Sequence, residues 1–195
     1  MLVAILSQLE PVASSALVGG ALISGQYMRF LGRYKAPPLI GVSAAAISLF
    51  YLAFGAAART DAEIVAVLTV TGIGLGTAFP SMMVATQNAA HGGNLGIATA
   101  NHTFFRSLGG AAGVSVFGAI IFSILAAHID VMQGADLNDI LRPGPVLTAV
   151  KPYLGEAFSA FFAAAGVVAV LSAVGFLFMK EVPLRQNAGH ETPAE

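Results

Sequence analysis

Between Lys35 and Arg59 no residue carries a charge, and the same holds from Ile64 to Ala90 and from Ala157 to Met179. Runs of this length and apolarity leave few options. In a bilayer every backbone N–H and C=O must be satisfied within the segment that carries it, which a helix achieves and an isolated strand does not. About 20 largely apolar residues cross the hydrocarbon core. Five segments reach that length, over about 3–29, 36–58, 64–90, 95–127 and 157–179. The sequence therefore predicts an all-α integral membrane protein with five transmembrane helices. They form one membrane domain over 1–195, with a loop over 128–156 and a tail over 180–195.

Charge narrows the function classes. Only 10% of the residues are charged, against roughly a quarter in an average soluble domain, and the formal net charge is -1. With no basic cluster, the counterion release that drives nucleic-acid binding has no source, so nucleic acid is excluded as a partner and membrane lipid takes its place. There are no cysteines, which removes disulfides and thiolate metal sites. His91, His102, His128 and His190 are too far apart for local metal-ligand spacing. No nucleophile, base and orienting group converge in the pattern, so the chain reads as a non-enzyme without a cofactor or metal.

Within the segments, prolines and glycines mark the special positions. Pro37 and Pro38 open the second helix, where their missing N–H groups cost nothing. Pro80 falls inside the third and predicts a kink. Arg142-Pro143-Gly144-Pro145 is a turn signal in the long loop. Gly72, Gly74 and Gly76 mimic the start of a nucleotide loop but sit inside an uncharged run, so helix contact is the better account. Ala16, Gly20 and Ser24 recur at spacing four and predict close helix approach, either within this chain or along a seam with a partner domain.

Arg106 is the one arginine well inside an apolar segment. It lies about 16 Å from Leu95 along a helix, where a charge costs several kcal/mol unless it meets water or a partner. Thr99, His102, Thr103, Arg106, Gly109, Gly110 and Gly113 fall along one stripe, predicted to face the bundle or a cavity, with Phe104, Phe105 and Leu108 facing apolar surroundings. Arg106 is either structural, bonding helix-end carbonyls, or part of a substrate or gating pathway. Gln87 and Asn88 are helix-end hydrogen-bonders or cavity contacts. Glu10, the one acid inside a predicted span, is an interfacial residue or a proton carrier.

Lysine and arginine set orientation. Arg29, Arg33, Lys35, Lys180 and Arg185 fall on one side of the membrane, and Arg59, Arg142 and Lys151 fall with most of the acids on the other. The first side is expected to be cytoplasmic, with the N-terminus outside and the C-terminus inside the cell (inner) membrane. An odd helix count with Met1 at the mouth of a span leads us to expect a preceding helix.

The stretch GTAFPSMMVATQNAAHGGNLGIATANHTFFRSLGGAAGVSVFGAI, with its QNA, LG-ATA, FFR-LGG and FGA signatures, resembles the late helices of the major facilitator superfamily (MFS), in its 14-spanning drug:proton antiporter branch. Residues Gly25 to Lys35 look like the second-half copy of the superfamily's cytoplasmic loop motif, with Gly25, Gly32, Arg33, Tyr34 and Lys35 at its positions. Arg29 stands where the full motif has an aspartate. Glu181-Val182-Pro183-Leu184-Arg185 is similar to a common ending after the last helix.

The resemblance implies that the five helices are the second to sixth of a C-terminal half lacking its first helix. It further implies that the second and fifth helices of such a half form the seam, that the fourth lines the cavity, and that the third and sixth support it. Gln87, Asn88, Asn101, His102 and Arg106 would then be polar residues of the cavity or seam. The implied function is multidrug efflux: proton-driven export of drugs or other amphiphilic small molecules, in company with a missing N-terminal half or a partner chain. The alternative is a non-transporting membrane interaction protein or an inactive truncated fragment.

Overall fold

The computed structural model of the protein describes residues 2–55, 60–90, 94–128 and 145–179, with side chains described over 11–55, 60, 62–90, 94–127 and 153–179. Every element among them is an α-helix: α1 (Leu2–Leu31), α2 (Ala36–Ala53), α3 (Asp61–Ala89), α4 (Leu95–His128) and α5 (Pro145–Phe178). Four of these, over Ala36–Ala53, Ala62–Ala89, Leu95–Ala127 and Tyr153–Phe178, are long and apolar enough to cross a membrane. The described part of α1, with Ser14, Ser15, Ser24, Gln26 and Arg29, is the more polar one. Large apolar side chains such as Leu22, Ile40, Ile47, Phe54 and Val114 are exposed on the bundle's outside. That outer surface suits lipid and would be a liability in water. The protein is a membrane protein.

Local chemistry explains the helix ends. At the end of α1, Gly32 takes φ +65° and its N–H donates to the Met28 carbonyl at 2.9 Å, the left-handed cap that favours glycine. Pro37 and Pro38 stand in the first turn of α2. That helix ends at Ala53 and not at 58, because Phe54 and Gly55 close it with a turn. α3 begins at Asp61, earlier than the apolar run implied, because Thr60 and Glu63 form a reciprocal capping box. It continues unbroken through Pro80 to Ala89. α5 begins at Pro145 and not near 157, so the later part of the expected loop is helix; a proline is at home in that first turn.

In space the helices are neighbours in the order α1, α3, α2, α5, α4, with a lighter contact between α3 and α4. The tightest approach is on α3. A methyl group placed on Gly72 would lie 2.8 Å from the Ala16 Cβ of α1, and one on Gly76 would collide with the Leu17 carbonyl. On the other side, Gly74 lies against the Gly41 carbonyl and the Ala45 methyl of α2. Residues two apart on a helix point to nearly opposite sides, so the Gly-x-Gly-x-Gly run lets α3 slide between two backbones. Ala16, Gly20 and Ser24 are buried on α1, with Gly20 against the Ile73 backbone and Ser24 against Ser81. The alternative that this stripe forms a seam with another domain is therefore corrected: it is spent inside the chain.

Hydroxyls pin what the glycines bring close. Ser24 and Ser81, both fully buried, are 2.8 Å apart, and Ser81 donates to the Thr77 carbonyl at 2.9 Å, which leaves Ser24 as donor to Ser81. The single Thr77 hydroxyl hydrogen is shared between two carbonyls, that of Gly74 in its own helix at 2.7 Å and that of Pro37 in α2 at 3.1 Å. Antiparallel α2 and α5 are clamped at both ends: Lys35 Nζ donates to the Leu177 carbonyl at 2.8 Å, and the Ser159 hydroxyl donates to the Ala53 carbonyl. Between the clamps, Val42, Ala46 and Leu49 pack on Ala169 and Phe176.

Gly74→Leu inserts a side chain where no space exists. It is expected to cost more than about 2 kcal/mol and to abolish the folded form in a detergent thermal-shift assay. Gly110→Leu, at a glycine with nothing nearby, leaves the melting temperature unchanged.

Candidate functional site: the α3–α4 face

With two sides of α3 committed to α1 and α2, its rotation is fixed and a third side is left over. Leu75, Phe79 and Met82, one turn apart, are all exposed on it. α4 crosses this side, and the Arg106 guanidinium carbon sits 4.2 Å from the centre of the Phe79 ring. The depths agree. Phe79 is about 15 Å from the end of α3 and Arg106 about 16 Å from the start of α4.

A cation over an aromatic face gains about 0.5–1 kcal/mol when exposed and about 2 when desolvated. A mid-membrane arginine costs about 2.5–3.5 kcal/mol on insertion scales. Phe79 therefore orients Arg106 without offsetting its charge. Nor do the described acidic side chains, Glu63 and Glu156, supply a counterion. Glu63 belongs to the α3 capping box, about 24 Å along the helix from Phe79. Glu156 is beside Ala157, which packs on Leu125, about 28 Å along α4 from Arg106.

The polar stripe of α4 meets the other helices at two points, Arg106 over Phe79 of α3 and, at its far end, Phe117, whose ring meets Phe161 of α5 at 5.3 Å between centres. It is not enclosed, however. Thr103, Arg106, Gly109 and Gly110 are exposed, and His102 and Gly113 are half-buried. Beyond Arg106 the stripe runs into an open groove of about 540 Å³ along the surface of α4, lined by Gly109, Gly110, Gly113 and Phe117 among others, with Phe161 as its one lining residue from α5. Phe104, Phe105 and Leu108 are exposed on the opposite flank.

The other sequence-derived residues divide. His102 joins Arg106, one turn away on the same side. Asn101 is exposed and, five positions from Arg106, falls with Phe105 and Leu108 instead. Gln87 is exposed and Asn88 half-buried in the last turn of α3, about 12 Å along the helix from Phe79, so they do not meet Arg106. Glu10 lies within α1, and its side chain is outside the described residues. Of the loop residues, Gly25 has open space where a methyl group would stand, Gly32 caps α1, Arg33 is exposed, and Tyr34 is buried at 2% exposure. Lys35 ties the loop to the end of α5. Sequence reasoning missed Phe79, the Ser24–Ser81 pair and the Lys35 clamp, none of which has a local signal.

No family model matches the chain, and no solved structure does. Among curated proteins it is similar to the MFS-type transporter clz4 of Cochliobolus lunatus, 30% identical over 90% of this chain and 34% of that protein. It is also similar to citrate exporter 1 of Yarrowia lipolytica, 29% identical over 55% of the chain and 16% of the exporter. A tetracycline resistance determinant of Streptomyces rimosus is 24% identical over 67% of the chain and 38% of that protein. These relatives support membership of the major facilitator superfamily. The chain spans about a third of the length of the MFS-type transporter clz4. As in its MFS relatives, a transporter function is supported over an enzymatic one.

The structure separates two basic residues of the MFS-like loop. Lys35→Gln removes a cation from the C-terminal carbonyls of α5 and is expected to cost about 0.3–1 kcal/mol, seen as a lower melting temperature in detergent. Arg33→Gln leaves it unchanged.

Proposed function

We propose that this chain forms part of a proton-coupled exporter of the 14-spanning MFS drug-efflux branch, moving drugs or other amphiphilic small molecules across the cell (inner) membrane. The observation that carries the proposal is the exposed guanidinium of Arg106 on the bundle side of an apolar helix: a charge there is tolerable where the face borders water or a passing solute. In this reading α3 lines the cavity, α1 and α4 form the seam with the remainder of the transporter, and the clamped α2–α5 pair supports them. The loop over Gly25 to Lys35 lies on the cytoplasmic side with the C-terminus, and the N-terminus lies outside. Export follows from rocking of two halves around a midplane site, as in other repeat-built transporters. The proton gradient is the driving force, and no cofactor takes part.

The partner is the N-terminal half, joined in one chain or supplied by a second. Support comes from the relatives. The name of the Streptomyces rimosus protein attaches to it tetracycline resistance, and that of the Yarrowia lipolytica protein the export of citrate.

The test uses everted membrane vesicles from cells that make this chain together with the segments completing an exporter. A proton gradient is expected to drive accumulation of at least one of three fluorescent amphiphiles, one anionic, one neutral and one cationic, and a protonophore is expected to collapse it. Arg106→Ala is expected to lower the initial rate about tenfold or more with an unchanged amount of inserted protein. Accumulation insensitive to the protonophore, or an Arg106→Ala rate equal to wild type, contradicts the proposal. Absence of any accumulation favours the other reading, a membrane interaction protein or an inactive fragment.

A further inference from the structure

Among the described residues, the α3–α4 face leaves one charge without an acidic partner. Arg106 carries a positive charge, its aromatic neighbour Phe79 compensates only part of the cost, and both described acidic side chains are several helical turns away. Directly along the same stripe lies the open groove of about 540 Å³ on the surface of α4, closed on one side only by Phe161 of α5. The two features adjoin, since Gly109 and Gly110 are within about one turn of Arg106.

Resting on the transporter reading, we propose that the site takes amphiphiles bearing an anionic group. A carboxylate or similar oxyanion pairs with Arg106, and the apolar body lies along the Gly109, Gly110 and Gly113 groove against Phe117 and Phe161. Charge complementarity names the occupant. A guanidinium matches a carboxylate with two parallel hydrogen bonds, and an oxyanion brings the mid-membrane guanidinium the counter-charge that a cationic or neutral solute does not. The Phe79 ring centre lies 4.2 Å from the guanidinium carbon and offers its N–H donors no oxygen acceptor, so they remain available to the ligand. The absence of side chains on three glycines makes room for a chain or ring that a methyl group at each would narrow. A lipid headgroup is the less fitting source of the anion, because Arg106 is about 16 Å along α4 from Leu95 and the hydrocarbon core is about 30 Å thick.

The experiment measures binding of three matched fluorescent probes to the full 195-residue chain in phosphatidylcholine nanodiscs, corrected for empty discs: dansylaminoundecanoic acid, its methyl ester, and the corresponding amine. The acid is expected to bind at least about tenfold more tightly than the ester, with the amine weakest. Arg106→Gln brings the acid down to the ester without weakening the ester, and Arg106→Lys retains part of the preference. Gly110→Leu, at a glycine with open space around it, weakens acid and ester together. Far-UV circular dichroism confirms that each variant is equally helical.

Equal binding of acid and ester, or equal loss of both in Arg106→Gln, overturns the anion preference and leaves the transporter reading standing. Failure of every probe to bind a folded chain removes the site and counts against the transporter reading as well. Loss of the acid preference when phosphatidylglycerol is added to the discs assigns the occupant to lipid and overturns the proposal.

Discussion

The fold depends on backbone-to-backbone contact at α3. In lipid, apolar side chains gain nothing by leaving the solvent for one another, so helix association rests on close van der Waals fit and interhelical hydrogen bonds. Gly72 and Gly76 admit α1, Gly74 admits α2, and Gly20 and Gly41 complete the contacts from the facing helices. Once the backbones are this close, short hydroxyl side chains reach across: Ser24 to Ser81, and Thr77, whose hydroxyl is shared between the Gly74 carbonyl of its own helix and the Pro37 carbonyl of α2. Such bonds contribute about 0.6 kcal/mol each in membranes. Their role is less to add energy than to fix rotation, because each is satisfied in only one register.

Fixing the rotation of α3 determines the site. A helix held on two sides has its third side decided, and on α3 that side carries Leu75, Phe79 and Met82. Phe79 then sets where Arg106 of α4 sits. α4 itself is held mainly toward its far end, where Phe117 and Leu125 meet Phe161 and Ala157 of α5. Its first half carries the charge and the glycines with few neighbours, between an anchored aromatic on α3 and an anchored helix end on α5. Tight packing on α1, α2 and α3 thus supports an open surface on α4 that carries the Arg106 charge.

The sequence made the number and rough extent of the helices legible because uncharged runs in lipid have one backbone solution. Their ends were less legible. The capping box at Thr60 and Glu63 is written in the sequence, yet the apolar run begins only at Ile64 and drew the expected boundary with it. Pro145 starts α5 inside what reads as a polar loop. Arg106 stood out because a charge in such a run is conspicuous by itself. Phe79 did not, since one phenylalanine among 13 in the chain is distinguished only by the rotation of α3, which long-range glycine contacts set. For the same reason Asn101 was grouped with Arg106 by polarity and separates from it by helix angle. Lys35 was recognised as part of a loop motif, while its bond to the Leu177 carbonyl joins residues far apart in sequence.

The central claim is that α3 turns its glycines and Ser81 toward α1 and α2, and Phe79 and Met82 toward the open face. Because the chain has no cysteine of its own, paired-cysteine cross-linking in native membranes tests this without background. Ser24→Cys with Ser81→Cys should form a disulfide readily under mild oxidation, and Ser24→Cys with Met82→Cys should not. Efficient cross-linking of the Met82 pair, with none at Ser81, would mean that α3 is rotated and that the Arg106 face described above is not the one the protein presents.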